Sequence, residues 1–420
     1  MDSLCRLDEL VAAVNEKSGS IKNASLPYLG LEHIGQHGAG LVGQAESAQS
    51  ISTNSIFKQR DVLFGKLRPN LRKCLLAPFD GYCSTDVLVL RPNGEVDPRF
   101  AARVFQADRV GAEAERTAAG TKMPRTSWNE LRALKVFCPD LQSQERIADV
   151  IDTLDTTISQ TEAIIEKLKQ VKQGLLHDLL TRGIDDNGEL RPPQSQAPHL
   201  YKDSPLGWIP RAWTARPLAE IVATTPNAIV DGPFGSNLKS EHYRSSGIPV
   251  IQSGYVTSGE FRAESYVYVT LQHFQTQARS RVDPGDIVMA KIGANAGMCA
   301  VLPTRHAFGI LAGNCMKITA DDCVVRRDWL VHYLHRLYQV TGMSDVRTET
   351  AQPAISLGRI RKLLVPVPPN VEQERAALSL ASIEESLRTE AKAASKMREL
   401  KSGLMDDLLT GRVRVTPPLA

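Results

Sequence analysis

The sequence predicts an α+β protein in which two similar α/β domains are each followed by one long helix. The main reason is a repeat: Gln144-Glu145-Arg146 returns as Gln373-Glu374-Arg375, and the segment 174–181 returns as 403–410. Both matches have the same spacing, since 373 − 144 = 229 and 403 − 174 = 229. Because one inserted residue would rotate a packed stripe away from its partner, a repeat without gaps indicates two equivalent helices whose length matters.

Apolar residues recur at intervals of three and four along both repeated segments, which is the pattern of a coiled-coil seam. The seam residues of the first helix are Ile147, Ile151, Leu154, Ile158, Ile165, Leu168, Leu175 and Leu179, and those of the second are Leu380, Ile383, Leu387, Met397, Leu404 and Leu408. Each seam also has a polar residue at one matching position (Thr161, Glu390) and a lysine at another (Lys172, Lys401), which is typical of a seam with a fixed register. Each helix would have roughly 40 residues and be about 60 Å long. The alternative is two amphipathic helices on unrelated cores.

Outside the helices the two halves correspond more loosely. Segments 7–10, 27–30 and 61–66 resemble 218–221, 249–252 and 286–291, at offsets of 211, 222 and 225 residues. Short Val, Ile and Leu runs broken by Gly, Pro and Asn predict short strands in both halves. We therefore expect a first domain at 1–140, a helix at 141–183, a linker at 184–211, a second domain at 212–366, a helix at 367–412 and a tail at 413–420.

The composition limits the class of protein. A chain of 420 residues favours two domains, and a net charge of +3 does not by itself indicate a nucleic-acid partner. No apolar run reaches membrane-spanning length, the amino terminus lacks a signal-like pattern, and the seven cysteines include no Cys-x-x-Cys pair. These features predict a soluble cytoplasmic protein with reduced thiols and no membrane partner.

Local clusters of basic and polar residues are the candidates for DNA binding. In the first half they are Lys58, Lys66, Arg68, Arg72, Lys73, Lys122 and Arg125. In the second half they are Ser236, Asn237, Lys239, Arg244, Gln252, Ser253, Lys291 and Gln352. Such a cluster is also typical of a solvated face, but these residues lie in Gly- and Pro-containing segments, where binding residues are commonly displayed. An aromatic content of 5% argues against single-strand binding by base stacking.

Three further patterns could indicate an enzyme or a metal site, and none has the necessary context. Asp231-Gly232-Pro233-Phe234 is superficially similar to the catalytic loop of amino-methyltransferases, but it has Gly in place of the first Pro and lacks a cofactor loop. The glycine-rich run 293–297 lacks the Gly-Lys-Ser/Thr ending of a phosphate-binding loop. His33/His37 and His332/His335 have helical spacing without a third ligand nearby in sequence, so we expect no metal site.

Four stretches resemble the specificity subunit of type I restriction–modification systems. They are the lead-in and end of each helix (139–146 and 366–375, 174–181 and 403–410), the segment 201–210 with Trp213, the segments 231–239 and 247–251, and the segment 63–71. Together they span nearly the whole chain. Their order is more specific than any one of them alone.

The resemblance implies a non-catalytic subunit that binds double-stranded DNA. Each of two target-recognition domains would bind one half of a bipartite, asymmetric site, and the helices would pack as an antiparallel coiled coil. Two modification subunits would dock on the helices and methylate adenine, and two motor-nuclease subunits would complete a restriction complex. S-adenosylmethionine, ATP and Mg are then expected in the partner subunits, with no cofactor in this chain.

Two other functions are compatible with parts of the sequence. One is a coiled-coil adaptor that binds protein and no DNA, and the other is a DNA methyltransferase in its own right. A steep salt dependence of DNA affinity would separate a DNA reader from an adaptor. No motif fixes the half-site sequences, the spacer length or the division of residues between base and phosphate contacts.

Overall fold

The structure is a computed structural model that describes residues 4–18, 26–46, 53–348 and 352–415. The chain divides into two compact units. The first unit comprises Met1–Ile165 together with Thr389–Ala420, and the second comprises Glu166–Arg388. Both long helices therefore contribute one part to each unit.

The first unit is built from short strands and short helices. Its strands are β1 (Leu4–Arg6), β2 (Val11–Val14), β3 (Pro27–Leu29), β4 (Ala45–Glu46), β5 (Ser55–Phe57), β6 (Val62–Gly65), β7 (Cys74–Leu76), β8 (Gly81–Cys83), β9 (Val87–Pro92) and β10 (Lys135–Phe137). Its short helices are α1 (Leu7–Leu10), α2 (Pro98–Gln106), α3 (Asp108–Arg116) and α4 (Trp128–Leu131), and the long helix α5 (Leu141–Thr181) begins here. Within the described residues these strands form sheets of order β2-β9-β6-β7 and β4-β3-β8-β5 and the pair β1-β10.

The second unit has the same plan. Its strands are β11 (Tyr201–Lys202), β12 (Ile209–Pro210), β13 (Thr214–Pro217), β14 (Ile229–Asp231), β15 (Ile248–Ile251), β16 (Tyr268–Val269), β17 (Arg281–Val282), β18 (Ile287–Ala290), β19 (Cys299–Val301), β20 (Gly309–Leu311), β21 (Cys315–Ile318) and β22 (Leu364–Val367). Its helices are α6 (Leu271–Thr276), α7 (Arg327–Thr341) and α8 (Leu357–Arg361), and the long helix α9 (Asn370–Thr410) begins here. Sheets β14-β21-β18-β19 and β16-β15-β20-β17 and the pair β13-β22 match those of the first unit, and β11-β12 is an addition.

Individual hydrogen bonds confirm that the two units are one fold used twice. The pair β3–β8 is parallel in the first unit, and the matching pair β15–β20 is parallel in the second. At the start of each long helix a buried glutamine accepts a backbone N–H from the segment before α2 or α7: Gln144 accepts from Asp97 at 3.0 Å, and Gln373 accepts from Arg326 at 2.7 Å. The same glutamines donate to Pro139 and Pro368 at 2.8 and 2.9 Å.

The long helices begin and end at specific local features. The Asp140 carboxylate accepts the backbone N–H of Ser143 at 3.0 Å, which satisfies one of the unpaired donors of the first turn of α5. Beyond the last turns, Gly183 and Gly411 have φ of 65° and 75°, a left-handed conformation that glycine adopts without steric cost. Every predicted seam residue is buried or half-buried.

The two helices pack antiparallel, as ion pairs within each unit demonstrate. In the first unit Lys401 lies 2.5 Å from Asp155, and Arg398 pairs with Glu162, so residue numbers rise along α5 as they fall along α9. In the second unit Lys172 lies 2.7 Å from Glu384. The two predicted seam lysines therefore each pair with an acid of the opposite helix, which compensates their charge.

The core of each unit includes residues from both helices. Ile147 and Ile151 of α5 and Leu408 of α9 join the first core, whose largest buried side chains include Phe100 and Phe105. In the second unit Leu179 and Leu380 join a core built around Trp213 and Trp329, whose rings meet edge to face at 5.4 Å. No helix in the described ranges is long and apolar enough to cross a membrane.

Candidate nucleic-acid interface

In the first unit, two segments of the sequence meet at the carboxyl end of β6. Lys66 follows β6 directly, and its carbonyl accepts the N–H of Thr126 at 3.1 Å. Leu67 forms a β-bridge with Arg125, and the Arg68 N–H donates to the Pro124 carbonyl at 2.8 Å. The chain thereby brings the basic residues after β6 beside the basic residues of the loop 118–126.

A carboxylate lies at the centre of this cluster. The Asp86 carboxylate accepts two hydrogen bonds from the Arg125 guanidinium, at 2.8 and 3.1 Å. These bonds lower the pKa of Asp86, and the nearby Lys66 charge acts in the same direction. We call Lys66, Asp86 and Arg125 the first charged site. Arg125 is 42% exposed on its side chain, so its outer edge can reach a ligand.

Arg68 and Arg72 flank the 3-10 turn Pro69–Leu71 and adopt left-handed backbone conformations, with φ of 52° and 47°. Such a conformation is uncommon for a side chain of this size and costs on the order of 1 kcal/mol or more. The Arg68 side chain is exposed, and within the described ranges it makes no hydrogen bond or ion pair. Arg72 instead pairs with Asp108 and lies 3.4 Å from Glu115. Of Arg68 and Arg72, only Arg68 presents its side chain to solvent without a partner in the described ranges.

The remaining first-half candidates do not all join this cluster. Lys122 is exposed in the loop closed by the bridge between Ala119 and Arg125. Lys73 donates from Nζ to the Leu31 carbonyl at 2.5 Å. Lys58 precedes β6, and about four strand residues at about 3.3 Å each separate it from Lys66, so it lies at the opposite end of this strand.

In the second unit, Lys291 follows β18 at the position that Lys66 occupies after β6. Its Nζ lies 2.7 Å from Asp231 and 4.0 Å from the ring centroid of Phe234. Asp231 also accepts from the Arg279 guanidinium at 2.8 Å. We call Lys291, Asp231 and Arg279 the second charged site. Asp231 and Lys291 have side chains that are only 5% and 10% exposed, whereas Arg279 is 60% exposed.

Polar residues from three other loops surround the second charged site. Ser253 follows β15 and accepts a hydrogen bond from Asn314 at 2.7 Å, and Asn314 accepts the Lys291 N–H through its backbone carbonyl at 2.8 Å. The segment of Gln352 also lies next to Lys291. Ala354 forms a β-bridge with Ile292, and the Pro353 carbonyl accepts the N–H of Gly293. Gln252, next to Ser253, is half-buried.

The other second-half candidates lie on the segment 235–244. Asn237 is exposed on the turn Gly235–Asn237, and the side chain of Ser236 lies outside the described part of the structure. Lys239 lies 3.9 Å from Glu241, and Arg244 bridges to Tyr268 at the edge strand β16. Among the described residues, no hydrogen bond or ion pair joins Lys239 or Arg244 to Lys291, Asp231 or Arg279.

Sequence reasoning missed the residues that organise both sites. Asp86 is an isolated acid, Arg279 is a basic residue that was not among the predicted DNA-binding residues, and Asn314 lies in a segment without a motif. Asp231 begins the motif 231–234. Phe234 belongs to a motif that the sequence analysis considered for a different chemistry. No group of three or more His, Cys, Asp or Glu side chains in the described residues could hold a metal ion.

Comparisons with known proteins address the family. Residues 19–170 match the family model of the type I restriction modification DNA specificity domain. The type I restriction enzyme MjaVIII specificity subunit of Methanocaldococcus jannaschii is 23% identical over 300 residues, which are 70% of this chain and 66%, just under two thirds, of that protein. The putative MjaX specificity subunit of the same organism is 23% identical over 384 residues, which are 87% of this chain and 82% of that protein.

Solved structures support the same fold. A chain from a study of complex assembly and conformational transition of the type I R-M system has a TM-score of 0.61 and 19% identity, covering 98% of each chain. The HsdS subunit from Thermoanaerobacter tengcongensis has a TM-score of 0.51 at 19% identity, covering 98% of this chain and 97% of that one. The relatives with these similarities are specificity subunits by name, which agrees with the resemblance seen in the sequence. Residues 19–170 are thus similar to a type I restriction modification DNA specificity domain, and the chain as a whole is similar in sequence to two specificity subunits and in fold to an HsdS subunit.

Proposed function

We propose that this chain is the double-stranded DNA-binding subunit of a type I restriction–modification complex and reads a bipartite, asymmetric site with one domain for each half-site. The observation that carries the proposal is the pair of charged sites. Lys66 and Lys291 occupy the same position of a repeated framework, yet the carboxylates and arginines around them come from unrelated segments. Because base contacts specify and backbone contacts position, two readers of different half-sites need this combination of shared frame and divergent loops.

In this proposal the first-unit readers are Lys66, Arg68 and Arg125, with Lys122 beside them, and Arg72, Lys73 and Lys58 have lesser roles. Arg72, already paired with Asp108, would have to exchange that partner for a DNA group. In the second unit the exposed donors and acceptors proposed to contact DNA are Arg279, Asn237, Asn314 and Gln352, together with the half-buried Ser253. Lys239 and Arg244 are suited to phosphate contacts, since both are exposed cations.

The helices would carry the catalytic partners. We propose that two modification subunits dock on α5 and α9 and hold S-adenosylmethionine, and that two motor-nuclease subunits holding ATP and Mg complete the restriction complex. An enzyme that methylates a base must extrude it from the duplex into a pocket. The role of this chain is then to place the pocket of its partner over one adenine in each half-site.

The decisive experiment uses the full chain with its modification subunit. Mapping methylated adenines in cells that express both should give one bipartite site, and binding of that site in vitro should fall steeply as salt rises. Arg68→Ala should weaken or relax recognition of one half-site only, by about 1–3 kcal/mol if Arg68 reads a guanine. Arg116→Ala, at an arginine that is 71% exposed on α3, is the matched control and should leave binding unchanged. A flat salt response would favour a protein-binding adaptor.

A second experiment tests whether the domains read independently. Replacing residues before Leu141 with those of a relative should change one half-site and leave the other unchanged, because each unit has its own core and its own charged site. Methylome mapping of the chimera measures the result. If both half-sites change together, the two units do not act as separate readers.

A third experiment tests whether the helices set the spacer between half-sites. Four residues inserted after Thr181 would lengthen a helical arm by about 6 Å. Since one base pair of DNA rises about 3.4 Å, the spacer should grow by one or two base pairs while both half-sites stay the same. An unchanged spacer in the methylome of this variant would mean that the helices serve only to dock partners.

A further inference from the structure

Phe234 is an exposed aromatic residue beside the second charged site. It follows β14 and is 49% exposed, although aromatic side chains of its size are usually buried. One face of its ring covers the Lys291 ammonium group, with Nζ 4.0 Å from the ring centroid. A single exposed apolar side chain is common in proteins, so the importance of Phe234 depends on the contacts that fix its position.

The backbone around Phe234 is rigid because two glycines allow a very close approach. A Cβ at Gly232 would lie 2.0 Å from the Ala312 carbonyl oxygen, and a Cβ at Gly313 would lie 2.6 Å from the Pro233 carbonyl oxygen. The Gly232 N–H also donates to the Cys315 carbonyl at 3.0 Å. The turn that carries Phe234 therefore packs against the segment 312–315 with no space for side chains between them. This packing fixes the position of the Phe234 backbone, from which the ring projects.

The Lys291 ammonium group contacts one face of the Phe234 ring. The Lys291 ammonium group donates to Asp231 at 2.7 Å and the side chain is 10% exposed, so its charge is compensated and its position is fixed. A cation held against an aromatic face attracts the ring electrostatically. The Asp231 carboxylate is in turn held by Arg279 at 2.8 Å. Lys291 therefore contacts the ring directly while its ammonium group stays bonded to Asp231.

We propose that Phe234 is a specificity-determining residue of the second half-site, where its ring contacts the C5-methyl group of a thymine, and that Lys291 and Asp231 are positioning residues for the ring. This proposal rests on the proposed function. In the major groove, thymine is the base whose edge presents an apolar group, and aromatic or methyl-bearing side chains are its usual contacts. The exposed residue Asn314 accepts the backbone N–H of Lys291 at 2.8 Å, so a hydrogen-bonding residue is joined to the same lysine that contacts the ring.

The test removes only the methyl group. In the full chain bound to its modification subunit, each thymine of the mapped second half-site is replaced in turn by deoxyuridine. One of these substitutions should weaken binding roughly fourfold, the change that corresponds to burying one methyl-sized group. With Phe234→Ala, thymine and deoxyuridine at that position should bind equally. Phe234→Leu, which keeps an apolar side chain, should retain part of the discrimination.

The controls separate this contact from general effects. Leu271→Ala changes another exposed apolar residue of the second unit, 58% exposed on α6, and should keep the full preference for thymine. Deoxyuridine in the first half-site should have the same effect in the original protein and in Phe234→Ala. If no thymine of the second half-site responds, or if Phe234→Ala keeps the preference, the proposal is wrong.

Lys291→Met tests the positioning role. It retains an apolar stem but removes the charge, so the preference for thymine should decrease while the salt dependence of binding stays the same. A salt slope reduced by about one would instead mean that Lys291 contacts a phosphate, which would overturn its positioning role. Failure of the proposed function looks different: neither the original protein nor any variant would then bind DNA in a salt-dependent way.

Discussion

In the first unit the buried carboxylate before β6 is held by an arginine, and in the second unit the matching carboxylate before β18 is held by a lysine. Asp61 accepts two bonds from Arg91, both at 2.9 Å, and Asp286 accepts from Lys317 at 3.0 Å and from the Thr319 hydroxyl. Both carboxylates also accept the N–H of the residue three positions earlier, at 2.8 Å. The framework requires a buried acid here and tolerates different cations.

The same comparison extends to the helix seam. Arg103, Asp155 and Lys401 meet in the first unit, with Arg103 and Lys401 both bonded to Asp155 at 2.7 and 2.5 Å. The residues 229 positions away in sequence (332 − 103, 384 − 155, 401 − 172) are His332, Glu384 and Lys172. The position of Arg103 in the first unit is thus occupied by His332 in the second. Both units keep an acid of one long helix paired with a lysine of the other, and the third group at this position differs between the units.

The largest effect should come from the buried acids. Asp286→Ala leaves Lys317, 11% exposed, without its partner and should cost about 3–5 kcal/mol of unfolding free energy. Asp61→Ala should cost less, about 1–3 kcal/mol, because Arg91 is 35% exposed and keeps Glu16 at 3.7 Å. Urea denaturation with hydrogen exchange resolved by peptide measures each unit. Lys317→Met added to Asp286→Ala should restore part of the loss, and equal costs in the two units would contradict the comparison.

The buried glutamines should come next. Gln373 is 0% exposed and bonds the Arg326 N–H and the carbonyls of Pro368 and Val324. Gln373→Ala should therefore destabilise the second unit by about 2–4 kcal/mol, and Gln144→Ala should destabilise the first by slightly less, because it makes fewer bonds to the domain. Gln142→Ala, at an exposed position of α5, should be neutral. A neutral Gln373→Ala would show that water replaces these bonds.

His332, which occupies the position of Arg103 in the second unit, should make the stability of that unit decrease at acidic pH. Burial lowers the pKa of His332 to about 4, with Glu384 opposing the shift and His335 and Lys172 adding to it. The folded unit keeps this histidine neutral, so protons bind the unfolded chain preferentially below about pH 6.5, and stability falls as pH falls from about 6.5 to 4 by about 2–3 kcal/mol. His332→Gln should remove that part of the pH dependence, and His199→Gln, at an exposed side chain, should not. Identical pH profiles for the two variants would refute this assignment.

The smallest effects should come from the ion pairs between the helices. Arg398→Met breaks a pair whose side chains are 55% and 48% exposed and should change stability by about 0.5 kcal/mol or less. Lys401→Met should cost more, about 1 kcal/mol, because Lys401 is only 17% exposed. Lys172→Met is the matched change in the second unit, where the pair is 33% and 36% exposed, and it should fall between them. Denaturation midpoints that reverse this order would contradict the ranking by burial.

The repeated helices could be predicted from sequence because their signal is local and periodic. Residues three and four apart on a helix share a face, so the seam from Ile147 to Leu179 can be recognised without knowing the fold. The same holds for short strands such as β6 and β18, which are apolar runs that end at a lysine. Which side chains lie on one face of a helix or strand depends only on the sequence of that element.

The charged sites could not be predicted in the same way, because they depend on contacts between distant segments. Asp231 lies 60 residues before Lys291, and Asp108 lies 36 residues after Arg72, yet each changes what the basic residue can do. A count of charges in the sequence treats every lysine and arginine as free to contact DNA, whether or not a carboxylate is bonded to it. The motif containing Phe234 was visible, but its exposed ring and the lysine beneath it depend on the close packing of Gly232 and Gly313.

The division of the two helices between the units has a consequence for the order of folding. The second unit is one continuous segment, Glu166–Arg388, whereas the first needs Thr389–Ala420 to supply Leu408 and Leu409 to its core. A ribosome adding about 5–20 residues per second would need on the order of 10–45 s to travel from residue 165 to residue 389. During that interval the older part of the chain holds Ile147 and Ile151 without the leucines that cover them. The half that is synthesised first is therefore the half that completes its fold last, and a nascent chain needs protection there for as long as translation continues.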